Sequence, residues 1–304
     1  MQPSPLRRAL VAWLVTLLAP FAAQAHASGL VDALGRNVGV VNAGRILTLG
    51  SDVTEIVYGL GAGDRIVAVD RGSRFPEATA TKPNVGYRRQ LSVEGVVSLH
   101  PDLILAAEDI GPPEAVEILR GLDIPIVFVP EDKSGEGIER KIALIAAVLD
   151  RQQEGKALAA SVRARFDEAV ALSEAIPADE RRKVVFFHGL IRLTAAGTGT
   201  AADAIIKLAG GLNPMDEVNG YAAASEERLV ELAPDTILMM SDGRGGPTPD
   251  EVFANRALAA TPAAKARSLV VLDGAYMIGF GPRTGDAIRD LAQALYGDRL
   301  AAGD

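Results

Sequence analysis

The chain of 304 residues contains no cysteine. That excludes a disulfide framework, thiol catalysis and the lipid-bearing cysteine of a bacterial lipoprotein. Histidine is almost as scarce, since His26, His100 and His188 are the full set. Three are too few for a histidine-rich zinc or manganese site. His100, beside Pro101 at a helix end, reads as structural, because a cation there complements the helix dipole. Enzyme templates are missing too. There is no Gly-x-Ser-x-Gly elbow, no Walker loop and no zincin motif. Positive charge is in deficit, with a net charge of −8. A nucleic-acid binder would be basic; an anionic small ligand stays open, because a few local arginines can dominate a pocket. A long apolar run is absent as well. Ala9 to Ala23 is too short for a comfortable membrane span. Arg7-Arg8 precede it, and Ala23-Gln-Ala25 or Ala25-His-Ala27 follow it, so residues 1–27 read as a signal peptide cleaved after Ala25 or Ala27. Export without a lipid-bearing cysteine points to a soluble protein of the Gram-negative periplasm.

What the sequence does hold is a long repeat. Ser92-Val-Glu94, Leu99, Pro101-Asp102, Ile104-Leu105 and Asp109 return as Ser225-Glu-Glu227, Leu232, Pro234-Asp235, Ile237-Leu238 and Asp242. Each pair is 133 positions apart (92 to 225, 102 to 235, 109 to 242). A Gly-Tyr pair precedes both copies, Gly86-Tyr87 and Gly220-Tyr221, one residue out of register. A repeat of this length predicts two similar lobes, and the cleft between lobes is a common ligand site.

The pattern along the chain agrees. A hairpin entry is predicted at Val31 to Arg36. Arg45 to Leu49 and Ile66 to Val69 read as strands around a helix carrying Val53, Ile56, Val57 and Leu60. Ser92 caps a helix through Leu99. Leu103 to Ala106 and Ile124 to Val129 are strands around a helix opened by Pro112-Pro113. Strand–helix alternation predicts a parallel sheet. Two helices follow, at about Gly137 to Leu149 and Gln152 to Glu174. The second, roughly 22 residues and so about 33 Å long, is predicted to bridge the lobes. Beyond Pro177, strands are predicted at Val184 to Phe187, Thr236 to Met240 and Val270 to Leu272. Thr284 to Leu295 is a closing helix. The expected architecture is α/β: two Rossmann-like lobes, residues 28–150 and 178–304, with mainly parallel sheets. A single helix within 151–177 joins them, and the ligand cleft lies between.

The stretch Gly86-Tyr-Arg-Arg-Gln-Leu-Ser-Val-Glu-Gly95 resembles the haem-binding periplasmic proteins of bacterial haem ABC importers. Leu47-Thr-Leu-Gly50, Thr194 to Asp203 and Gly279-Phe-Gly-Pro-Arg283 are similar to the same family, and the likeness runs from about Arg45 to Tyr296. The Ser-x-Glu and Pro-Asp elements are shared with cobalamin- and siderophore-binding relatives. The resemblance implies a comparatively rigid pair of lobes and no catalysis. It also implies ferric haem (haem b) as the transported ligand, and as partners an inner-membrane permease dimer with its ATPase.

The resemblance makes Tyr87 the axial ligand of the haem iron. Phenolate is a hard oxygen donor suited to Fe(III), and since phenol ionises near pH 10, the metal and a nearby cation must help. Arg89, two residues on, points to the same side of an extended loop and is implied to bond the ligand oxygen. His188, at the end of a second-lobe strand, is a candidate second ligand or a structural donor. Tyr221 mirrors Tyr87 on the far wall. Arg244, in Asp242-Gly-Arg-Gly-Gly246, is a candidate for a haem propionate or the Tyr87 oxygen, or else a solvated loop arginine. Arg283 is either a pocket residue or a brace. Glu94 and Glu227, equivalent by the repeat, either stabilise their helix dipoles or dock to the two permease subunits, as relatives do. A monomer is expected. The alternatives are a cobalamin or ferric-siderophore carrier of the same fold, an exported α/β enzyme, or a haem-storage module.

Overall fold

A computed structural model describes residues 30–243, 245–297, 299 and 300. The leader and Arg244, both singled out above, lie outside the described residues. A short antiparallel hairpin, β1 (Leu30–Val31) and β2 (Asn37–Val38), opens the described chain. The first sheet follows with β3 (Ile46–Leu49), α1 (Ser51–Gly59), β4 (Ile66–Val69), α2 (Val93–Val97), β5 (Leu103–Ala107), α3 (Pro113–Arg120), β6 (Ile126–Val129) and α4 (Gly135–Val148). Its strands lie in the order β4-β3-β5-β6, and every pair is parallel. Strands β3, β5 and β6 are buried along their whole length, as a parallel sheet covered on both faces requires.

The second sheet is built from β7 (Val184–Phe187), β8 (Thr194–Ala196), β9 (Tyr221–Ala223), β10 (Thr236–Ser241) and β11 (Leu269–Asp273). Its order is β11-β10-β7-β8-β9. The pairs β7/β10 and β10/β11 are parallel, whereas β7/β8 and β8/β9 are antiparallel. Helices α6 (Ala201–Leu208), α7 (Glu226–Leu232), α8 (Pro249–Phe253), α9 (Arg256–Ala259), α10 (Pro262–Ala266), α11 (Gly274–Ile278) and α12 (Thr284–Tyr296) accompany it, and α5 (Gln152–Glu174) precedes it. Two mainly parallel sheets and a long helix are thus observed as expected. The β8–β9 ribbon was not. Its Thr-Ala-Ala and Tyr-Ala-Ala runs carry no apolar alternation, so pairing across the sheet, not local pattern, makes them strands.

The repeat has a physical basis. Ser92 and Ser225 each accept the backbone N–H three residues on, from Gly95 and Arg228, and so start α2 and α7. Asp102 accepts the N–H groups of Gly44 and Arg45 at the foot of β3. Asp235 accepts that of Lys183 at the foot of β7. The residue before each Pro-Asp, His100 and Ala233, sits at φ 48° and 46°. His100 therefore has a backbone task in a strained left-handed conformation, and its carbonyl accepts Arg45 Nε.

Helix α5 is pinned near its start and at its middle. Residue Gly155 leaves room for Ala146 of α4, where any Cβ would collide. A Cβ on Gly285 of α12 would lie 2.7 Å from the Arg165 backbone of α5. On the same helix Val162, Phe166 and Ala169 are buried in one hydrophobic cluster that includes Ile56, Ile142, Phe186, Ile206 and Leu291. The core is therefore continuous from one sheet to the other. Buried charges reinforce it. Lys141 on α4 is 2% exposed and bonds Asp52 of α1 at 2.6 Å and the Phe280 carbonyl of the second lobe at 3.2 Å. Among the described residues no helix is long and apolar enough to cross a membrane.

Candidate ligand-binding site

The loop that carries Tyr87 is tied down on two sides. On one, Val85 N–H bonds the Val69 carbonyl at the end of β4, and Arg71 N–H bonds the Gly86 carbonyl at 2.8 Å. On the other, Gly111 N–H bonds Arg88 O and Leu91 N–H bonds Gly111 O, beyond β5. Gly86 turns the chain at φ 86°, a value that glycine adopts freely. The loop thus sits at the carboxyl ends of β4 and β5, where open α/β sheets place ligands.

Tyr87 is half-buried. Arg89 Nη1 donates to its phenolic oxygen at 3.1 Å. The Arg71 guanidinium lies over its ring, 5.2 Å from the centroid, within cation–π range. Asp109, just after β5, holds the neighbouring arginines. It accepts Arg88 through both oxygens, at 2.6 and 2.8 Å, and Arg89 Nε at 2.9 Å. Burial alone would raise the Asp109 carboxyl, but the hydrogen bonds and charges of Arg88 and then Arg89 outweigh it and hold it below its ordinary value. Glu131, after β6, stands 3.7 Å from Arg88. Burial, then the charges of Asp109 and Asp52, push its carboxyl up.

The second lobe supplies a different wall. His188 follows β7, and its ring packs at 5.1 Å from Tyr221 and 5.4 Å edge-on from Phe186. Burial, and then the Arg89 charge opposite, lower the proton affinity of the imidazole. A neutral ring nitrogen can accept a metal. Tyr221 starts β9 after Gly220, which has φ 81° like its counterpart Gly86. Burial raises the Tyr221 phenol, Arg89 pulls it down and Glu131 pushes it up. The Arg89 charge of one lobe is thus felt by both His188 and Tyr221 of the other, and that of Glu131 by Tyr221.

The structure brings Tyr87, Arg89, His188 and Tyr221 to this cleft. Arg283 is engaged elsewhere. It donates to both oxygens of buried Glu55 at 2.6 and 2.9 Å, and it stacks on Phe75 and Tyr276. That side chain braces the two lobes, together with Arg74, which meets Asp273 at 2.5 Å. Glu94 and Glu227 are exposed on α2 and α7. The Glu227 carboxyl is lowered by its own backbone N–H and by Ser225. Sequence reasoning gave no role to Arg71, Arg88, Asp109 or Glu131. Asp109 lay within the repeat, and Arg88 within the motif. Arg71 and Glu131 carry no motif, but each follows a strand at the cleft-facing end of a parallel sheet.

Among the described residues there is no cluster of three or more histidine, aspartate or glutamate side chains able to hold a bare metal ion. A groove of about 330 Å³ lined by Arg36, Val41 and Arg120 lies on the β6 flank. Its Arg36 is already consumed by Asp32 and the Ile126 carbonyl.

Comparison with known proteins follows the same line. The periplasmic haem-binding protein RhuT from Roseiflexus sp. RS-1, in apo form, is 36% identical with a TM-score of 0.78 over 83% of this chain and 97% of that one. The periplasmic haem-binding protein BhuT in complex with two haems is 33% identical, with a TM-score of 0.77 over 84% of this chain and 98% of that one. A vitamin B12-binding protein of Vibrio campbellii is 28% identical over 210 residues, 66% of this chain and 74% of that protein. The match to the family described as periplasmic binding protein spans residues 46–276, both sheets and the helix between them, and so this chain belongs to the periplasmic binding protein family.

Proposed function

We infer that this protein is exported to the periplasm, binds ferric haem in the interlobe cleft and hands it to an inner-membrane ABC permease with its ATPase. The observation that carries this is Tyr87 with its phenolic oxygen at 3.1 Å from Arg89 Nη1. That hydrogen bond fixes in place a hard oxygen donor of the kind that suits Fe(III). Tyr87 would be the protein's ligand to the haem iron, and His188 would line the opposite wall. The cleft performs no chemistry on the ligand; it holds, orients and releases it. Glu94 and Glu227, exposed one on each lobe, serve as the two docking charges for a twofold partner. The protein works as a monomer, its two lobes carried on residues 28–150 and 178–304.

The second reading is a cobalamin carrier, favoured by the B12-binding relative. Cobalamin carries its own axial base and has no need of a phenolate. Absorption titration of the mature protein with ferric haem and with cyanocobalamin separates the two. The expected result is a saturating Soret band with haem that Tyr87→Ala weakens by more than about 100-fold, beyond the usual outer-sphere effect. Saturable cobalamin binding without a haem band overturns this reading.

A further inference from the structure

The arginines beside Tyr87 are not equivalent. Arg88 and Arg89 share Asp109, and Arg88 also nears Glu131. Arg74 pairs with Asp273, and Arg283 with Glu55. Arg71 alone in this group has no carboxylate or carbonyl partner for its guanidinium among the described residues, and it is exposed. Its position is nonetheless built. Buried Asp70 fixes the turn before it, accepting Gly50 N–H at 3.0 Å, Gly72 N–H at 2.8 Å and the Ser73 hydroxyl. Arg71 N–H is locked to Gly86 O, one residue from Tyr87. A backbone held this firmly presents a guanidinium over a tyrosine with no counter-charge, open to an anion from outside the protein.

We propose that Arg71 selects a tetrapyrrole bearing peripheral carboxylates over one whose side chains are amides. Its guanidinium donates charge-assisted hydrogen bonds to a carboxylate on the rim of the same ligand whose metal faces Tyr87. This rests on the haem reading above and adds a determinant to it. Iron ligation alone distinguishes metals and axial ligands; it does not read the ring's periphery. An unpaired planar fork does, because carboxylate matches it in charge and geometry and an amide does not. The same cation over the Tyr87 face also fixes the ring, so the two contacts are made from one rigid corner.

The test is equilibrium titration of the mature protein, Arg71→Gln and Arg71→Lys with two ligands: ferric haem, and ferric haem dimethyl ester, in which iron and ring are kept and both carboxylates are capped. The unmodified protein is expected to prefer haem by about tenfold or more, the scale of a charge-assisted hydrogen bond. In Arg71→Gln that preference collapses and the two ligands bind alike, while Arg71→Lys, which keeps the charge and loses the fork, retains part of it. Thermal unfolding of each variant reports whether the fold is intact. Equal affinity of the unmodified protein for haem and ester overturns the proposal and leaves the haem reading standing. So does an Arg71→Gln variant that loses both ligands in the same proportion, for Arg71 would then act through Tyr87. Failure of the unmodified protein to give any Soret shift with haem overturns the haem reading itself.

Discussion

The two lobes share a centre and differ at one edge. Strands β3, β5 and β6 of the first correspond to β7, β10 and β11 of the second, parallel in both and paired in the same order. Beside β3, the first lobe adds parallel β4, whose exit carries Asp70 and Arg71. Beside β7, the second adds the antiparallel ribbon β8–β9, whose start carries Tyr221. The outcome is a cleft with one cationic wall and one neutral, aromatic wall. The scaffold positions of the repeat, the serine caps and strand-foot aspartates, stayed alike because each satisfies backbone groups that any such lobe must satisfy. The flanking strand has no such duty, and it is where the walls diverge.

The largest expected effect is at the seam between the lobes. Lys141→Met leaves the Asp52 carboxylate buried without its partner and is expected to cost about 3–5 kcal/mol, read as a fall in the urea midpoint. If the lobes were independent, the loss would be confined to signals from the first. Next is a contrast between walls. Asp109→Asn frees both Arg88 and Arg89 and is expected to weaken haem binding about tenfold, as loss of an outer-sphere partner of a metal ligand does. His188→Ala, on the neutral wall, is expected to cost less than about threefold, a fraction of the free energy of that tenfold loss. Equal losses in the two titrations would break the asymmetry.

The pH dependence sharpens the comparison, since one group on each wall contributes a slope of opposite sign. Burial and Arg89 hold His188 below its ordinary 6.5. The unfolded chain takes that proton first, so stability present above 6.5 is lost as pH falls through it toward the folded value. Glu131 is raised above its ordinary 4.5 by burial and then Asp109. Its contribution is present at lower pH and lost as pH rises through 4.5 toward the raised value. His188→Gln should therefore flatten the loss of stability on mild acidification, and Glu131→Gln should remove the opposite slope, both visible in urea midpoints measured against pH. The smallest effect is outside the cleft. Glu94→Ala and Glu227→Ala are expected to leave the haem titration unmoved. Each should slow stimulation of the permease–ATPase in proteoliposomes by a few-fold, since rim charges act mainly on encounter. Unequal effects would mean that the partner does not read the lobes as a pair.

Much of this was legible in the sequence, for physical reasons. The Pro-Asp and Ser-x-Glu pairs could be read because caps and strand anchors demand particular side chains at fixed offsets. The long helix was placed at its observed bounds, Gln152–Glu174, by its apolar spacing. Arg71 could not be read, since one arginine after a strand resembles any solvated loop residue until Gly86 and Tyr87 are brought beside it. The conspicuous Gly-Phe-Gly-Pro-Arg turn drew attention to Arg283 but left pocket residue and brace undivided. Its partner, Glu55, lies 228 positions away, and nothing local marks it. Lys141 was detectable in principle, being three residues from Ile138 and four from Ile145 on the apolar face of α4.

The unbroken apolar core has a thermodynamic consequence. With Ile56, Phe166 and Leu291 in one cluster, neither sheet can melt without exposing the surface that holds the other. Heat should therefore unfold the chain as one cooperative unit, with calorimetric and van't Hoff enthalpies in agreement. A ligand bound at the cleft then protects residues on the far side of both lobes as strongly as those it touches, because mass action stabilises the whole native state at once.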